Sequence, residues 1–460
     1  MIFEQFYLGC LSQASYLIAS DGIAAVIDPQ RDVDLYLAAA KERGLTITHV
    51  IETHLHADFV SGHHELARRT GAQIYLGVGS GATFPHHAVE DGDEIAFGQC
   101  RLRFRATPGH TLESVCIFVT DLDHGPEPWA VLTGDTLFIG DVGRPDLSEG
   151  HTPQELAGLL YDSLRGKLLQ LPDETLVYPA HGAGSMCGRN ISSDRNSTIG
   201  RERQSNYALK PMPRDRFIDL LTADLPARPE YFQRDVDLNR RGAIALTDLP
   251  PLLLLPAREA ARLQQAGATI LDTRASMAFC SGHIPNSICI GLSGQFASWA
   301  GVILGLDRDL ILLAEDQKEA EESRQRLARV GIERVVGFID GGFASWVEAG
   351  LPLAQTAQIS AGELARDPTL SIVDVRTPVE WSAGHLTRAT SAPLTELRET
   401  LLNLDPKQTL AVYCKGGYRS VIACSLLAAS GFESVLNVLG GFDSWTASHL
   451  PVAIDEPHLV

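Results

Sequence analysis

The chain has no long apolar run and no concentration of basic residues. No apolar stretch reaches the roughly 18 residues that a membrane-spanning helix needs, so no membrane span is expected. With 38 Lys and Arg against 57 Asp and Glu, the formal net charge is -19. Because nucleic acids are bound through concentrated positive surface, this balance disfavours a nucleic-acid partner.

Cysteine is sparse, and its spacing indicates no framework of disulfides. Eight Cys are spread over 460 residues, and no Cys-x-x-Cys pair occurs among them. This usage is typical of reduced thiols in a cytoplasm. The first residues also lack the basic and apolar segments of a signal peptide, so we expect a cytoplasmic protein. The sequence leaves the oligomeric state open, a homo-oligomer included.

A chain of this length is too long for a single hydrophobic core, so several domains are expected. Short strands and helices alternate in the first part, which predicts sheets flanked by helices. A polar, Pro-containing stretch over 210–241 predicts the end of this domain and a linker. We place the domains at 1–235, 236–355 and 356–460.

The second half contains an internal repeat. Ile-Leu-Asp-Thr-Arg at 270–274 recurs 102 residues later as Ile-Val-Asp-Val-Arg at 372–376, and Gly-Gly-Phe-x-x-Trp occurs at 341–346 and again at 440–445. A solenoid repeats about every 20–50 residues, so this period indicates duplicated domains. Each copy alternates strands and helices, which predicts a parallel α/β sheet. The two Trp are expected to anchor the cores.

Four segments of the first part carry candidate metal ligands. They are 53–59 (THLHADF), 107–111 (TPGHT), 133–138 (TGDTLF) and 178–182 (YPAHG). In each, an apolar strand leads into a turn that bears His or Asp, where functional side chains concentrate. His54, His56 and Asp58 alternate just after a strand, which predicts that they point the same way, towards one metal ion. The His residues without such a context are His63, His64, His86, His87, His124 and His151.

These four segments, in this order, resemble the metallo-β-lactamase superfamily over roughly the first half of the chain. Within it, 140–146 (GDVGRPD) is similar to a segment of persulfide dioxygenases, and 188–193 and 197–200 resemble the form fused to rhodanese domains. The resemblance implies an αββα sandwich that holds one iron(II) per chain through His54, His110 and Asp135. Two His and one carboxylate leave open positions for O2 and substrate, which suits non-haem iron(II).

The resemblance also implies supporting roles around the metal. The residues expected to orient ligands and water are His56, Asp58 and His181. The residues expected to shape the substrate site, or to form a structural ion pair, are Arg144 and Asp146. Cys187 lies six positions after His181, so it is expected to face the metal pocket and exchange sulfur with the substrate, with a buried structural thiol as the alternative.

Phe59 stands where better-known stand-alone members of the family carry another His, which serves a second metal. The sequence therefore favours one metal. It argues against the alternative of a two-zinc thioester hydrolase of the glyoxalase II type fused to a sulfurtransferase. A third hypothesis is a non-catalytic, sulfur-responsive scaffold.

The second repeat carries a cysteine loop, 414–420 (CKGGYRS), between an apolar strand and a helical run. Backbone N–H groups at a helix N-terminus form a positive concavity that stabilises a thiolate or an anion, and glycines let the loop curl. Basic side chains should lower the thiol pKa. The expected catalytic residues are Cys414, Lys415 and Arg419. The expected substrate-binding residues are Gly416, Gly417, Tyr418 and Ser420.

This loop and the repeat landmarks resemble rhodanese domains. Four residues separate Cys414 from Arg419, one fewer than in phosphatase loops, which favours sulfur transfer over phosphate chemistry. In the first repeat Ala314 takes the place of the cysteine, and acidic residues replace the glycines. We therefore expect the first rhodanese-like domain to be inactive, a spacer or interaction module.

The two resemblances together imply a bifunctional sulfur enzyme. The first domain would oxidise a low-molecular-weight persulfide, such as glutathione persulfide, with O2 to sulfite and thiol. The last domain would move sulfane sulfur between persulfide, thiosulfate and sulfite. The sequence does not identify the thiol carrier.

Overall fold

The computed structural model describes residues 1–223, 225 and 227–454. By its contacts the chain divides into two compact units. The first contains Met1–Leu249 together with Ala328–Gly331, and the second contains Pro250–Leu327 and Ile332–Val460. The predicted boundary after residue 235 thus falls inside a helix of the first unit, and the boundaries at 235 and 355 stay predictions.

Two six-stranded sheets form the centre of the first unit, and strands adjacent in sequence are adjacent in each sheet. The first sheet consists of β1 (Ile2–Leu8), β2 (Gln13–Ser20), β3 (Ile23–Ile27), β4 (Thr46–Ile51), β5 (Gln73–Gly77) and β6 (His87–Val89). The second consists of β7 (Glu94–Phe97), β8 (Cys100–Ala106), β9 (Val115–Asp121), β10 (Ala130–Gly134), β11 (Leu176–Pro179) and β12 (Ser197–Thr198).

The two sheets pack face to face and helices cover their outer faces. Along β2, Tyr16 and Ile18 lie in the core between the sheets, whereas Leu17 and Ala19 lie in the core under the helices. Because successive side chains of a strand point to opposite faces, a strand covered on both faces must be apolar throughout. This is the αββα sandwich that the resemblance implied.

In the described part of the first unit, the α-helices are α1 (Asp34–Glu42), α2 (His63–Thr70), α3 (Pro153–Gly166), α4 (Ile199–Ser205), α5 (Arg214–Thr222) and α6 (Tyr231–Arg241). The expectation of a linker over 210–241 is wrong, because α5 and α6 occupy most of this stretch. Tyr231 and Phe232 of α6 are each 1 % exposed, so this polar-looking helix buries two aromatic rings. Asp32, which precedes α1, pairs with Arg329, and α1 begins without a side-chain cap.

The second unit contains the two repeats, each built on a five-stranded parallel sheet. The first has β13 (Leu253–Leu255), β14 (Thr269–Asp272), β15 (Ile288–Cys289), β16 (Leu310–Leu313) and β17 (Val335–Ile339), with α7 (Ala257–Gln265), α8 (Ser276–Ser281), α9 (Phe296–Leu304), α10 (Gln317–Ala328) and α11 (Gly342–Glu348). The spatial order is β13-β17-β16-β14-β15.

The second repeat has the equivalent strand order, β18-β23-β22-β19-β21. Its strands are β18 (Ala357–Ile359), β19 (Ser371–Asp374), β20 (His385–Leu386), β21 (Ala389–Ser391), β22 (Leu410–Tyr413), β23 (Val435–Val438) and β24 (Val452–Ala453), of which β20 and β24 form a separate pair. Its helices are α12 (Ala361–Arg366), α13 (Pro378–Ser382), α14 (Leu397–Thr400), α15 (Tyr418–Ala429) and α16 (Gly441–Ala447).

The repeated sequence landmarks are structural. In the second repeat Arg376 is bound through two nitrogens to Asp374 and also donates to the Gly384 carbonyl, and the first repeat has the equivalent bonds. The ring nitrogens of Trp346 and Trp445 each donate to a proline carbonyl at 2.9 Å, and both rings are buried. The expectation that the two Trp anchor the cores is confirmed.

None of the helices in the described part of the chain combines the length and the apolar character that crossing a bilayer requires.

Gly109, in the turn before His110, offers a test of the packing in the first unit. A Cβ at this position would lie 2.6 Å from the backbone nitrogen of Leu160 in α3, and φ is +147°. We expect Gly109→Ala to lower the free energy of unfolding by about 3 kcal/mol, through collision and backbone strain. Gly140→Ala is the matched control, because φ is +79° but nothing lies within 4 Å, so only about 1 kcal/mol is expected. Calorimetry that shows equal losses for both would contradict the collision.

Candidate metal centre and sulfur-transfer site

The carboxyl ends of several strands meet at one edge of the sandwich and bring three candidate ligands together. His54 follows β4, His110 follows β8, and Asp135 follows β10. His110 Nε2 lies 3.4 Å and His54 Nε2 lies 3.9 Å from Asp135 Oδ2. All three residues are buried, and one ligand atom of each lies within 4.8 Å of the other two.

The donor atoms of this set suit a metal ion. Within the described residues, Asp135 Oδ2 and His110 Nε2 are buried and accept or donate no hydrogen bond. His110 Nδ1 donates to the Arg144 carbonyl at 3.0 Å, so the lone pair of Nε2 faces Asp135. Burial lowers the pKa of both His54 and His110, which keeps the rings neutral, the form that binds metal. The arrangement is a metal-binding site of two imidazoles and a carboxylate.

The prediction that His54, His56 and Asp58 point the same way is wrong. Beyond Ile51 the backbone is no longer a strand, so the alternation of strand side chains does not apply. His56 Nε2 lies 3.2 Å from Asp28 Oδ1 and 3.2 Å from Glu52 Oε2, away from the candidate ligands.

A second buried network surrounds His56. Burial alone would lower the pKa of His56, but Asp28 and Glu52 raise it to about 10, which favours the protonated ring. His63, which we set aside from the sequence, lies with Nδ1 3.1 Å from Glu52 Oε1. Asp28 also accepts from the Thr53 amide at 2.7 Å and so holds the start of the ligand loop. The position of Asp28, directly after an apolar strand, was the signal that could have identified it.

His181 connects the metal-binding set to a third cluster. Its Nδ1 lies 2.8 Å from Asp135 Oδ1, and its Nε2 lies 2.9 Å from Asp58 Oδ2. Asp58, His181 and Cys187 place one ligand atom each within 4.8 Å of the others. Cys187 is thus connected to the metal-binding set through His181. Its exchange of sulfur with the substrate stays a prediction. Burial raises the pKa of its thiol well above the usual value, and Asp58 raises it further, so the thiol is neutral.

Arg144 supports the site through its main chain. Its carbonyl fixes the His110 ring, and its amide donates to the Cys187 carbonyl at 3.0 Å. Its guanidinium forms two bonds to Asp146, of 2.6 and 2.8 Å. Of the two roles left open by the sequence, the described contacts are those of a structural ion pair.

In the second repeat, Cys414 lies at the end of β22 and is 1 % exposed. The Gly417 amide donates to its sulfur at 3.1 Å, and the thiol lies 3.5 Å from Ser420 Oγ. Gly417 begins α15 with φ of +112°. A Cβ at Gly441, in the repeated Gly-Gly-Phe landmark, would lie 2.2 Å from the Cys414 carbonyl oxygen, so this landmark lets the loop approach closely.

The basic and aromatic side chains of the loop make contacts that the sequence did not predict. Arg419 forms two bonds of 2.7 Å to Glu380, so its charge is matched by a carboxylate. Lys415 is exposed to solvent. The Tyr418 hydroxyl donates to the Gly291 carbonyl in the first repeat at 2.8 Å. The described contacts of Arg419 and Tyr418 thus anchor the loop, and Glu380, which the sequence reasoning missed, is one of the anchors.

In the corresponding loop of the first repeat, carboxylates accept hydrogen bonds from the backbone amides. Ala314 follows β16, at the position where the second repeat has Cys414. The amide of Glu315 donates to the Glu319 carboxylate at 3.1 Å, and the amide of Glu319 donates to Asp316 at 2.8 Å. Carboxylates of the loop itself therefore occupy N–H groups that would otherwise face a bound anion.

The Glu380–Arg419 pair predicts a dependence of stability on pH. Burial raises the pKa of Glu380, but bonds from Arg419 and the Thr377 amide lower it to about 2. A depressed carboxyl pKa stabilises the fold above the ordinary value of about 4.3, and this stabilisation is lost as pH falls towards 2. We expect Glu380→Gln to cost about 1 kcal/mol at pH 7, since the pair is partly exposed, and progressively less below about pH 4. Calorimetry at pH 7 and below about pH 4 tests this, with the exposed Glu433→Gln as the control. An equal loss of stability in Glu380→Gln under the two conditions would contradict the prediction.

Comparison with known proteins identifies the parts of the chain. Residues 8–181 match the metallo-beta-lactamase superfamily, and 256–349 and 358–448 match the rhodanese-like domain. Human mitochondrial persulfide dioxygenase ETHE1 is 38 % identical over 225 residues, which are 47 % of this chain and 78 % of that protein. Hydroxyacylglutathione hydrolase of Rhodospirillum rubrum is 40 % identical over 162 residues, 35 % of this chain and 57 % of the relative.

A solved structure extends the similarity beyond the first domain. The metallo-beta-lactamase from Staphylococcus aureus is 34 % identical, with a TM-score of 0.66, and the match covers 73 % of this chain and 98 % of that one. The chain spans only 57 % of the Rhodospirillum hydrolase and 64 % of bovine persulfide dioxygenase ETHE1. The chain therefore belongs to the metallo-β-lactamase superfamily, has persulfide dioxygenases among its homologues, and carries two rhodanese-like domains after its metal-binding domain.

Proposed function

We propose that the protein is a persulfide dioxygenase joined to a sulfurtransferase. The first domain oxidises a low-molecular-weight persulfide, such as glutathione persulfide, with O2 to sulfite and thiol. The second rhodanese-like domain transfers sulfane sulfur between persulfide, thiosulfate and sulfite through Cys414. Sulfite released by the first reaction is an acceptor for the second, which gives the fusion a chemical rationale.

The observation that carries the first activity is the three-residue ligand set. His56, which the resemblance placed outside the ligands, faces Asp28 and Glu52, and the Phe59 ring packs on it with centroids 4.3 Å apart. Phe59 is 1 % exposed and has no donor atom. These features favour a single metal with open coordination positions over a two-metal centre.

We assign one iron(II) to His54, His110 and Asp135. Iron held by these residues would bind O2 and the persulfide sulfur together. The two substrates would then react within one complex and would not have to meet in solution. His181 orients Asp135 through its Nδ1, and Asp58 orients His181 in turn. Cys187 lies in the cluster with Asp58 and His181, and we propose that its sulfur contacts the persulfide substrate.

A zinc thioester hydrolase is the alternative, because a hydroxyacylglutathione hydrolase is among the relatives. A second metal would need a donor at position 59, where Phe59 provides none, and His56 pairs with the carboxylates of Asp28 and Glu52. Metal analysis separates the two functions: about one iron per chain supports the dioxygenase, whereas about two zinc ions support the hydrolase.

In the proposed sulfur transfer, the Cys414 thiolate attacks the outer sulfur of thiosulfate. A bond forms between the two sulfurs, the S–S bond of thiosulfate breaks with its electron pair, and sulfite leaves. The resulting Cys414 persulfide then gives its outer sulfur to an attacking acceptor. The Gly417 amide, 3.1 Å from the cysteine sulfur, stabilises the Cys414 thiolate that attacks in the first step and leaves in the second.

Replacing Asp135 tests the ligand assignment. We expect Asp135→Ala to reduce bound iron by at least about tenfold, because the carboxylate is lost and His181 loses its partner. Oxygen consumption with a persulfide should disappear, while thiocyanate formation from thiosulfate and cyanide should persist. Asp173→Ala, an exposed aspartate of the same domain, is the control for both readouts. Full iron content in Asp135→Ala would refute the assignment.

Replacing Cys414 tests the division of labour. Cys414→Ser should abolish thiocyanate formation, because a hydroxyl cannot form a persulfide. Oxygen consumption with a supplied small-molecule persulfide should be unchanged. With thiosulfate as the sole sulfur source and a low-molecular-weight thiol as the acceptor, oxygen consumption should fall to background. Substantial thiocyanate formation by this variant would place the sulfur-carrying residue elsewhere.

The first repeat offers the matched gain-of-function control. Adding Ala314→Cys to the Cys414→Ser protein should not restore transfer, because neighbouring carboxylates already accept from the loop amides. Acidic neighbours also disfavour the thiolate. Thiocyanate formation by the double variant would show that the first repeat retains a usable anion site.

A further inference from the structure

The cysteine loop of the second repeat is in contact with the inactive first repeat, within the same compact unit. Tyr418 follows the Gly417 amide that bonds the cysteine sulfur, and its hydroxyl donates to the Gly291 carbonyl at 2.8 Å. Its ring lies against the same segment. A Cβ on Gly291 would be 3.6 Å from the ring, and one on Gly294 would be 4.0 Å from it.

The contact continues along the helix that the loop begins. Val421, one turn after Tyr418, packs in a buried cluster with Phe279, Cys280 and Cys289 of the first repeat. One turn further, Ser425 Oγ accepts from the Cys289 amide at 3.0 Å. Residues spaced by three or four positions share one face of a helix, so α15 presents a single face to the first repeat over two turns.

The two ends of the cysteine loop are held by different parts of the unit. At its start, the amides of Phe442 and Asp443 donate to the carbonyls of Cys414 and Lys415, at 2.8 and 3.0 Å. These bonds lie within the second repeat. At its other end, the first turn of α15 is held by Arg419–Glu380 within the second repeat and by Tyr418–Gly291 across to the first.

We infer that the inactive first repeat is a positioning element for the sulfur-transfer site of the second. Its Gly291 carbonyl, through Tyr418, fixes the end of the loop so that the Gly417 amide stays directed at the Cys414 sulfur. This assigns the first repeat a role other than that of a spacer. Tyr418 is a positioning residue, and the inference rests on the proposed sulfur transfer only for its kinetic readout.

The direct test is Tyr418→Phe in the full-length protein, which keeps the ring and removes the hydroxyl. Losing one buried hydrogen bond of this kind changes an equilibrium about three- to tenfold. We expect kcat/KM for thiosulfate to fall by that factor. The rate constant for alkylation of Cys414 by iodoacetamide, followed on its peptide by mass spectrometry, should fall equally. The alkylation readout does not require sulfurtransferase activity, so it tests the inference even if wild-type protein forms no thiocyanate.

A second variant approaches the contact from the inactive repeat. A Cβ on Gly291 would lie 3.1 Å from the Arg274 carbonyl oxygen, so Gly291→Ala must shift the segment that receives the Tyr418 hydroxyl. We expect it to reduce both readouts in the same direction, although it lies outside the repeat that carries Cys414.

The matched control is Arg398→Gln. Arg398 Nη2 donates to the Ile303 carbonyl at 2.5 Å, so it joins the same two repeats from α14 and not from the cysteine loop. We expect it to leave alkylation and kcat/KM unchanged. Wild-type alkylation rates in both Tyr418→Phe and Gly291→Ala would overturn the inference. So would an equal loss in Arg398→Gln, because general contact between the repeats would then explain the effect.

Discussion

The first unit depends on the burial of one carboxylate. Asp135 is 2 % exposed, and a charge in such a place is tolerated only if opposing groups compensate its lost hydration. His181 faces one of its oxygens, and the other faces His54 and His110. These side chains come from the ends of four strands in two sheets, so the compensation requires that both sheets terminate at the same edge. A bound cation would complete the balance of charge.

Two imidazoles of the loop after β4, two positions apart, have pKa values shifted in opposite directions, because each has different neighbours. His54 lies among other His rings, where burial keeps it neutral. His56, with its ring centroid 4.2 Å away, lies between the carboxylates of Asp28 and Glu52 and is protonated. The charged His56 is therefore paired with Asp28 and Glu52, and Asp28 also holds the start of the ligand loop through the Thr53 amide. The two imidazoles of the H-x-H motif therefore lie in different electrostatic environments.

The second unit contains the same scaffold twice, but only the second copy has the cysteine loop. Both copies keep the Asp–Arg pair, the buried Trp and the close approach of the Gly-Gly turn, which are requirements of the fold. They differ in what the loop amides bond: the Cys414 sulfur in one copy and loop carboxylates in the other. Both copies therefore keep the scaffold, although only the second carries the cysteine.

From sequence alone, local pattern determined the strands, the duplication and the loss of the cysteine at Ala314, because these follow from periodicity and motif order among neighbouring residues. The candidate ligands His54, His110 and Asp135 came from the resemblance of the motifs to a known family. Only the tertiary structure decided where His56, Asp58, Arg419 and Tyr418 point, and it added Glu380, His63 and Gly291. Several of their partners lie far away in the chain. In addition, the loop that carries His56 and Asp58 is no longer a strand, so the alternation of strand side chains does not predict their directions. The direction of a polar side chain is set by the charges that folding brings to it, and no local pattern contains them.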